Sequence, residues 1–410
     1  MSIKKVRIQN YKGLEDLEFE PSRINIFVGR NNTGKSSALE AIALTLSATN
    51  GFRDASDEDL LSRIMNRRVP KRWMKGLAML RYLIRLENEE GHVNVDVDGN
   101  ALRLDLQFLE GGFPMLEAGD KFLEFLDGYS WEKAERRLLW PTRRLIRKER
   151  GLERELVEEV LKENFERIRV QIKDEIIQSS KLFIIGRLSE NIISEATYAS
   201  ISAEEVEEAG EGTQWEEYKR FDVLLEHKEI IPLLFRMSSF NEAEEVKGML
   251  GEVVRKNKQE EAIGLIRNEV EYFKDLREVS GELLCSLTTG TVPLSFLGDG
   301  FLALLDITFM SVLAEGGAVF IEEPETCLHP GFLDVVARQI VNSAEHTQFF
   351  IATHNAELLE YLLEAGKDHL ELFRFVRLYQ MPDGECTYEV LTGKEAAEEI
   401  FEIKTDLRGI

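Results

Sequence analysis

The chain has 410 residues, of which 43% are hydrophobic, and a formal net charge of −24. That length and composition are typical of a globular protein with a large core and more than one lobe. No stretch of about 18 apolar residues occurs, so no membrane-spanning helix is indicated, and the acidic balance argues against non-specific adsorption to nucleic acid over the whole surface.

The first predicted elements are strands. Apolar and polar residues alternate on both sides of a turn at residues 11–14, and residues 23–28 read RINIFV, a strand pattern. Together they predict two antiparallel strands followed by a third strand. The opening lacks the apolar run of a signal peptide, and the three cysteines have neither metal nor disulfide spacing. We therefore expect a cytoplasmic protein.

A phosphate-binding loop follows the third predicted strand. Residues 29–36 read GRNNTGKS, which fits G-x-x-x-x-G-K-[ST], and a predicted helix begins at Lys35. The backbone N–H groups of such a loop converge on a phosphate chain, with Lys35 on the β- and γ-phosphates and Ser36 on Mg²⁺. A glycine-rich turn can also be purely structural, but the strand before it and the helix after it favour a nucleoside triphosphate site. The predicted nucleotide-binding residues of the loop are Gly29, Arg30, Asn31, Asn32, Thr33, Gly34, Lys35, Ser36 and Ser37.

The middle of the chain is predicted to be strands and then mostly helix. Residues 80–108 alternate apolar with polar on both sides of the turn at 98–100, as antiparallel strands do. Helical spacing in highly charged sequence covers about residues 131–177 and 203–279, with an apolar run at 182–185 that indicates a buried strand between them.

Three segments stand out by charge. Residues 63–75 and 136–150 are basic, and residues 204–217 are acidic. Such runs are usually solvated helix faces. The alternative is that the basic segments form local contacts to nucleic acid and that the acidic segment contacts a partner protein.

The last third of the chain carries a pair of carboxylates. The predicted strand at residues 318–321 runs directly into Glu322 and Glu323. In a nucleotide site, Glu322 would hold Mg²⁺ and Glu323 would orient and deprotonate the attacking water. Two carboxylates at a strand end can also be an ordinary solvated turn, and the phosphate-binding loop earlier in the chain favours the catalytic role.

Two further motifs lie near these carboxylates in the sequence. The predicted strand at 348–352 is followed by His354, which can reach the γ-phosphate or, alternatively, serve as a capping or packing residue. His329 has a structural and a functional interpretation. Upstream, Ser295, Gly298 and Gly300 precede a long apolar helix, and a helix start of this kind is a second anion-binding device.

These motifs together resemble those of the ABC-type ATPases, and within them the SMC/RecF/OLD branch. The resemblance depends on GRNNTGKS at 29–36, LSFLGDG at 294–300, VFIEEPETCLHP at 319–330 and FIATHN at 350–355, in that order. The opening VRIQNYKGLEDLEFE is similar to the same branch. The similarity is close over residues 1–50 and 285–360, whereas the middle of the chain matches only in position and helical character.

The resemblance implies a role for each motif. Residues 29–37 correspond to the Walker A loop, Glu322 to the Walker B carboxylate, where the family often has aspartate, and Glu323 to the catalytic glutamate. His354 corresponds to the switch histidine, and residues 325–329 fall at the D-loop. Gln107 is the candidate for the Q-loop glutamine, a Mg²⁺ ligand. The signature motif is matched by Ser295, Gly298 and Gly300, which would bind ATP held by a second subunit, so the resemblance implies ATP, Mg²⁺ and a homodimer.

The predicted fold class is α/β: a P-loop ABC-ATPase head with a mixed central sheet, an antiparallel β subdomain and an inserted helical lobe. We expect residues 1–110 and 285–410 to form the two halves of the ATPase core, and residues 111–284 to form a mostly helical insertion. The insertion is too short for the coiled-coil arms of SMC proteins. The sequence after His354 is too short for the Toprim nuclease domain of full OLD nucleases, which we expect to be absent.

Two functions fit these observations, and others fit less well. One is an ATP-dependent, dimerising clamp that acts on nucleic acid in repair, maintenance or defence, with the basic segments 63–75 and 136–150 on DNA. The other is a regulatory ATPase subunit that controls a separate effector protein such as a nuclease. A small-molecule kinase is disfavoured by the signature motif and by Thr353-His354, and a membrane transporter ATPase is disfavoured because the usual LSGGQ sequence is lacking.

Overall fold

The computed structural model describes residues 2–66, 81–113, 117–128, 170, 173, 174, 176–203, 215–224, 231–237, 243–326, 328–381 and 385–408. The basic segment 136–150, most of the basic segment 63–75 and residues 204–214 of the acidic segment lie outside the described residues. Among the residues that are described, no helix combines the length and the apolar character that crossing a membrane requires.

The described residues form strands and helices with the following bounds. The strands are β1 (Ile3–Tyr11), β2 (Leu14–Phe19), β3 (Ile24–Gly29), β4 (Glu90–Val97), β5 (Asn100–Leu109), β6 (Lys181–Leu188), β7 (Asn191–Ala203), β8 (Trp215–Leu224), β9 (Leu233–Arg236), β10 (Phe273–Val279), β11 (Glu282–Leu287), β12 (Gly290–Pro293), β13 (Ala318–Glu322), β14 (Gln348–Ala352), β15 (Phe373–Gln380) and β16 (Cys386–Thr392). The helices are α1 (Lys35–Ser47), α2 (Leu60–Asn66), α3 (Glu117–Asp127), α4 (Ala243–Arg255), α5 (Gln259–Glu269), α6 (Asp299–Leu313), α7 (Pro330–Ser343), α8 (Ala356–Ala365) and α9 (Gly393–Ala397), with a π-helical turn at Glu398–Ile403.

A mixed six-stranded sheet carries the nucleotide motifs. Its strand order is β16-β15-β3-β14-β13-β9, and all neighbours are parallel except the antiparallel pair β15 and β16. Parallel strands end at the same edge of a sheet, and ligands bind beyond that edge. The ends of β3, β14 and β13 are therefore neighbours, although the first lies more than 280 residues from the other two in the sequence.

Helix α1 is enclosed between this sheet and an antiparallel one. The second sheet has seven strands in the order β2-β1-β4-β5-β6-β7-β8. Its inward apolar residues share one core with α1 and with Phe27, Phe320 and Phe350 of the six-stranded sheet. The alternate residues of the same strands, such as Ile26 and Ile321, pack on the opposite face against helices α4 to α8. Because α1 is covered on both sides, its residues are apolar around most of its circumference, as in other buried helices.

The antiparallel β subdomain extends further along the chain than predicted. Strands β6, β7 and β8 continue the sheet formed by β1, β2, β4 and β5. The helical prediction for residues 203–279 is correct for α4 and α5 but wrong for β8, β9 and β10. The alternation of apolar and polar residues in β8 is hard to see because half of its residues are charged. The structure shows its two faces: Phe221 packs against Phe122 on one, and Arg220 donates to Asp59 on the other. The boundaries proposed at residues 110 and 284 stay a prediction.

Gly29, the last residue of β3, is a position where the backbone demands glycine. Its φ is +144°, and an added Cβ would lie 2.3 Å from the carbonyl oxygen of Leu378 on β15. We expect Gly29→Ala to lower the free energy of unfolding by about 1–3 kcal/mol through backbone strain, with a similar loss through overlap. Urea denaturation measures this. Gly298→Ala is the matched control because no atom lies within 4 Å of its added Cβ, and an equal loss in both variants would contradict the packing described for β3 and β15.

Candidate nucleotide site

The phosphate-binding loop joins β3 to α1, as predicted. Gly34 lies at the N-terminus of α1 with a φ of 98°, a conformation that favours glycine. The Lys35 ammonium is folded into the loop, where Nζ donates to the carbonyl oxygens of Gly29 at 2.8 Å and Arg30 at 2.7 Å. The Thr33 hydroxyl also donates to the Arg30 carbonyl, at 2.9 Å. The lysine charge is thus held at the centre of the loop, within reach of a phosphate chain.

Lys35 is buried, and burial lowers the pKa of its ammonium group, while the nearby carboxylates of Glu323 and Glu325 act in the opposite direction. A buried cation of this kind is stabilised by any anion that enters the loop. The remaining loop residues Arg30, Asn31 and Asn32 are exposed at the surface. Ser36 and Ser37, in the first turn of α1, are partly exposed.

The two predicted carboxylates differ in their surroundings. Glu322 ends β13 and is 1% exposed, and strand alternation puts it on the face of Phe320, towards α1. Glu323 has a φ of +47°, and its N–H donates to the Ala352 carbonyl at 2.7 Å. A positive φ is uncommon for glutamate. The Glu323 side chain is 39% exposed, so it is open to water.

The structure brings His354 to the same place. Its ring Nδ1 lies 3.7 Å from Glu323 Oε1 and 3.4 Å from Glu325 Oε1, and the ring is half exposed. Three groups that the sequence analysis selected from separate motifs, Lys35, Glu323 and His354, therefore meet at one edge of the six-stranded sheet. The arrangement offers a cation for an anionic ligand, with a carboxylate and an imidazole beside it.

Two residues at this site were not singled out from the sequence. Glu325 is buried, and its Oε1 accepts from the Thr353 hydroxyl at 2.8 Å and from the His354 N–H at 3.2 Å. Burial raises the pKa of the Glu325 carboxyl, and these donors oppose the shift. Arg408, held by Asp406 at 2.7 Å, donates to the His354 carbonyl at 3.4 Å. A third carboxylate in the sequence EEPE at residues 322–325 is a signal that could have pointed to Glu325, whereas the sequence around Arg408 contains no such signal.

The structure does not bring Gln107 to the phosphate-binding loop. Leu104 and Leu106 of β5 pack towards α1, so the intervening and following positions, including Gln107, face the other side of the sheet. There the Gln107 amide donates to Glu90 at 2.8 Å. His329 has a structural role, because its ring accepts from the Gly331 N–H at 3.3 Å and caps α7.

The signature residues lie at the start of α6. Ser295 is exposed in a 3₁₀ turn, Gly298 is the N-cap of α6, and Gly300 is in its first turn. Phe296, between Ser295 and Gly298, is 81% exposed. The start of α6 is therefore an exposed surface of the molecule.

Comparison with known proteins assigns the chain to a family. Residues 1–109 match the family model described as "AAA ATPase domain", and residues 214–360 match the one described as "AAA domain, putative AbiEii toxin, Type IV TA system". The uncharacterized protein MJECL11 of Methanocaldococcus jannaschii is 30% identical over 120 residues, which span all of that protein and 28% of this chain. The DNA replication and repair protein RecF of Lactobacillus acidophilus is 40% identical over 63 residues, or 15% of this chain and 16% of RecF.

The matched models identify the chain as a protein with AAA ATPase domains, and the similarity to RecF supports the RecF-like type of ABC ATPase. Its matched segment spans about a sixth of RecF, so what RecF does as a whole protein does not transfer through this match. Among solved structures, the SMC head domain from Thermotoga maritima overlays with a TM-score of 0.39 at 13% identity, covering 96% of this chain and 99% of that one. The Smc head from Pyrococcus furiosus, solved with the C-terminal domain of ScpA, scores 0.46 at 13% identity with 98% and 99% coverage. Scores this low support no inference.

Lys35→Ala tests the loop as a nucleotide site. We expect tight binding of ATP to be lost, because the buried ammonium is the cation that the loop directs at the phosphates. Binding is measured by fluorescence titration with an N-methylanthraniloyl derivative of ATP. Lys367→Ala, a change of the same type at an exposed pair with Glu364, is the control and should bind as wild type does. Equal affinity in the two variants would contradict the site.

Proposed function

We propose that this protein binds and hydrolyses ATP, that ATP joins two copies of the chain, and that the dimer acts on nucleic acid. The observation that carries the proposal is the meeting of Lys35, Glu323 and His354 at one sheet edge. A binding loop alone would support only a nucleotide-binding protein. A carboxylate open to water beside that loop supports hydrolysis.

Lys35, Ser36 and Glu322 bind the phosphates and the metal ion in this proposal. Lys35 exchanges its contacts with the Gly29 and Arg30 carbonyls for the β- and γ-phosphates. Mg²⁺ is bound in such sites by one or two protein oxygens together with phosphate oxygens, and the Ser36 hydroxyl and Glu322 are the donors that fit. When held by these donors, Mg²⁺ would supply positive charge to the phosphates.

Glu323 acts on the water in this mechanism. The water oxygen forms a bond to the γ-phosphorus, the bond from that phosphorus to the bridging oxygen of ADP breaks, and a proton of the water passes to the Glu323 carboxylate. His354, beside Glu323, contacts the γ-phosphate oxygens. The exposure of the Glu323 side chain, 39%, supports this role, since the carboxylate can reach a water molecule.

The second copy completes the site in the proposal. Ser295 and Gly298 stand at an exposed helix N-terminus, a device that binds anions, and the chain's own phosphate-binding loop already supplies one such terminus at α1. We infer that the start of α6 closes over the γ-phosphate bound by another copy. The exposed Phe296 would then be covered by the partner on closure.

Glu323→Gln tests hydrolysis and dimerisation together. The substitution keeps the shape and removes the base, so we expect ATP turnover to fall by at least about 100-fold while ATP binding is retained. ATP should then accumulate between two copies. Mass in solution, measured by light scattering at micromolar concentration with saturating ATP and Mg²⁺, is expected to double. A monomer under these conditions would contradict the sandwich, and unchanged turnover would contradict the role of Glu323.

A role on nucleic acid is supported by the RecF match and by the basic segments 63–75 and 136–150. We expect double-stranded DNA to raise the rate of ATP turnover, and the increase to fall steeply between about 50 and 200 mM salt, as phosphate contacts do. Phosphate release with and without DNA measures this. Glu204→Gln, which changes one charge in the acidic segment and none in the basic segments, serves as the control. If the chain does not bind DNA at low salt with ATP and Mg²⁺ present, the role on nucleic acid is contradicted.

A second function is favoured by one specific finding. The family model that matches residues 214–360 has the description "AAA domain, putative AbiEii toxin, Type IV TA system". The sequence at residues 204–217, which overlaps the start of that match, is acidic. A regulatory ATPase that controls a separate effector protein accounts for both. A stoichiometric partner that purifies with the chain from its native host supports this alternative, and DNA-stimulated turnover by the chain alone supports the first.

A further inference from the structure

Glu325 connects the two halves of the site. Its carboxylate is buried below the exposed ring of His354, and its side chain is 7% exposed against 50% for the ring. It also lies close enough to Lys35 to act on the charge of that ammonium group. A buried carboxylate is costly unless donors surround it, so the contacts of Glu325 are informative.

The donors around Glu325 come from one short segment. Oε1 accepts from the Thr353 hydroxyl at 2.8 Å and from the His354 N–H at 3.2 Å, and it lies 3.4 Å from ring Nδ1 of His354. The first holds the Thr353 side chain and the second holds the backbone of His354. The third concerns the ring, because a carboxylate beside Nδ1 determines which ring nitrogen carries a proton.

Two carboxylates lie beside the same ring nitrogen of His354. The Arg408 guanidinium donates to the backbone carbonyl of His354 at 3.4 Å, so it makes no contact with the ring nitrogens there. Glu323 Oε1, the second carboxylate near the ring, is also on the Nδ1 side at 3.7 Å. Nε2 is therefore the nitrogen available to a phosphate ligand.

We propose that Glu325 is a positioning residue, which keeps a proton on Nδ1 of His354 and so presents Nε2 to the γ-phosphate. Glu325 itself touches neither the phosphate nor the water. It acts through the ring, and Thr353 and Arg408 hold the ring's backbone in place. The role rests on the proposed ATP hydrolysis, but the protonation of the ring is measurable without it.

Glu325→Gln separates this role from a merely structural one. The amide oxygen can still accept from Thr353 and from the His354 N–H, so the segment keeps its shape, while the negative charge beside Nδ1 is lost. We expect kcat for ATP hydrolysis to fall about 10- to 100-fold, the size of effect that orienting partners of histidine have on activity, with KM for ATP within about twofold of wild type.

The ring is observed directly by ¹⁵N NMR of histidine-labelled protein, with His354→Gln used to assign the signal. In the wild type at neutral pH we expect a protonated Nδ1. In Glu325→Gln we expect the Nδ1 signal to move towards the unprotonated position. An unprotonated Nδ1 in the wild type would overturn the proposal even if the variant does not fold, and an unchanged ring signal or an unchanged kcat in a folded variant would also overturn it.

Two controls separate a failure of the role proposed for Glu325 from a failure of the proposed ATP hydrolysis. Glu195→Gln alters another buried glutamate that accepts from a threonine, Thr197, at 3.3 Å on the antiparallel sheet, and it should change neither kcat nor the His354 signal. Glu323→Gln should abolish turnover yet leave Nδ1 of His354 protonated, because Glu325 remains beside it and lies closer, at 3.4 Å against 3.7 Å. If the wild type hydrolyses no ATP, the proposed function fails, and the ring signal still decides the role of Glu325.

Discussion

The register of three parallel strands is the constraint on which the rest of this structure depends. β14 lies between β3 and β13, with Ile351 opposite both Ile26 and Ile321. Their side chains are buried on both faces of the sheet, as in other parallel sheets. A shift by one residue would exchange the two faces of each strand. It would also move the carboxylates and His354 out of line with the phosphate-binding loop.

In the proposed mechanism, charge at the sheet edge explains why a nucleotide would bind together with a cation. Three glutamates, Glu322, Glu323 and Glu325, face one buried lysine and one histidine. Such a cluster repels a bare triphosphate, and it becomes favourable only when a divalent ion accompanies the ligand. Lys35 is meanwhile stabilised by two loop carbonyls, contacts that a phosphate chain can replace. The same carboxylates that disfavour the free anion are then available for catalysis.

The parts of the site that could be predicted from sequence are those encoded in contiguous residues. The phosphate-binding loop needs its glycines and lysine at fixed spacing, and Glu323 follows its strand directly. Gln107 was misjudged although the sequence held the answer. Leu102, Leu104, Leu106 and Phe108 alternate on the inward face of β5, so an odd position between them had to face away from α1.

Other features depend on contacts between distant residues and leave no local pattern. β8 carries so many charges that its alternation resembles a polar helix, and only its pairing with β7 defines it. Arg408 reaches the His354 carbonyl across 54 positions of the chain. Glu325 lies inside a recognised motif, yet its function depends on Thr353 and His354 of a neighbouring strand end. Its partners become apparent only when β13 and β14 are paired.

In the proposed mechanism, ATP hydrolysis needs two copies of the chain, one to hold the triphosphate and one to close over it. The most direct measurement is the rate of phosphate release per chain as the protein concentration is raised from nanomolar to micromolar at saturating ATP and Mg²⁺. If two copies are needed, the rate per chain rises with concentration and then reaches a plateau as dimers form. A rate per chain that is the same throughout this range, for protein shown to be monomeric, would contradict it.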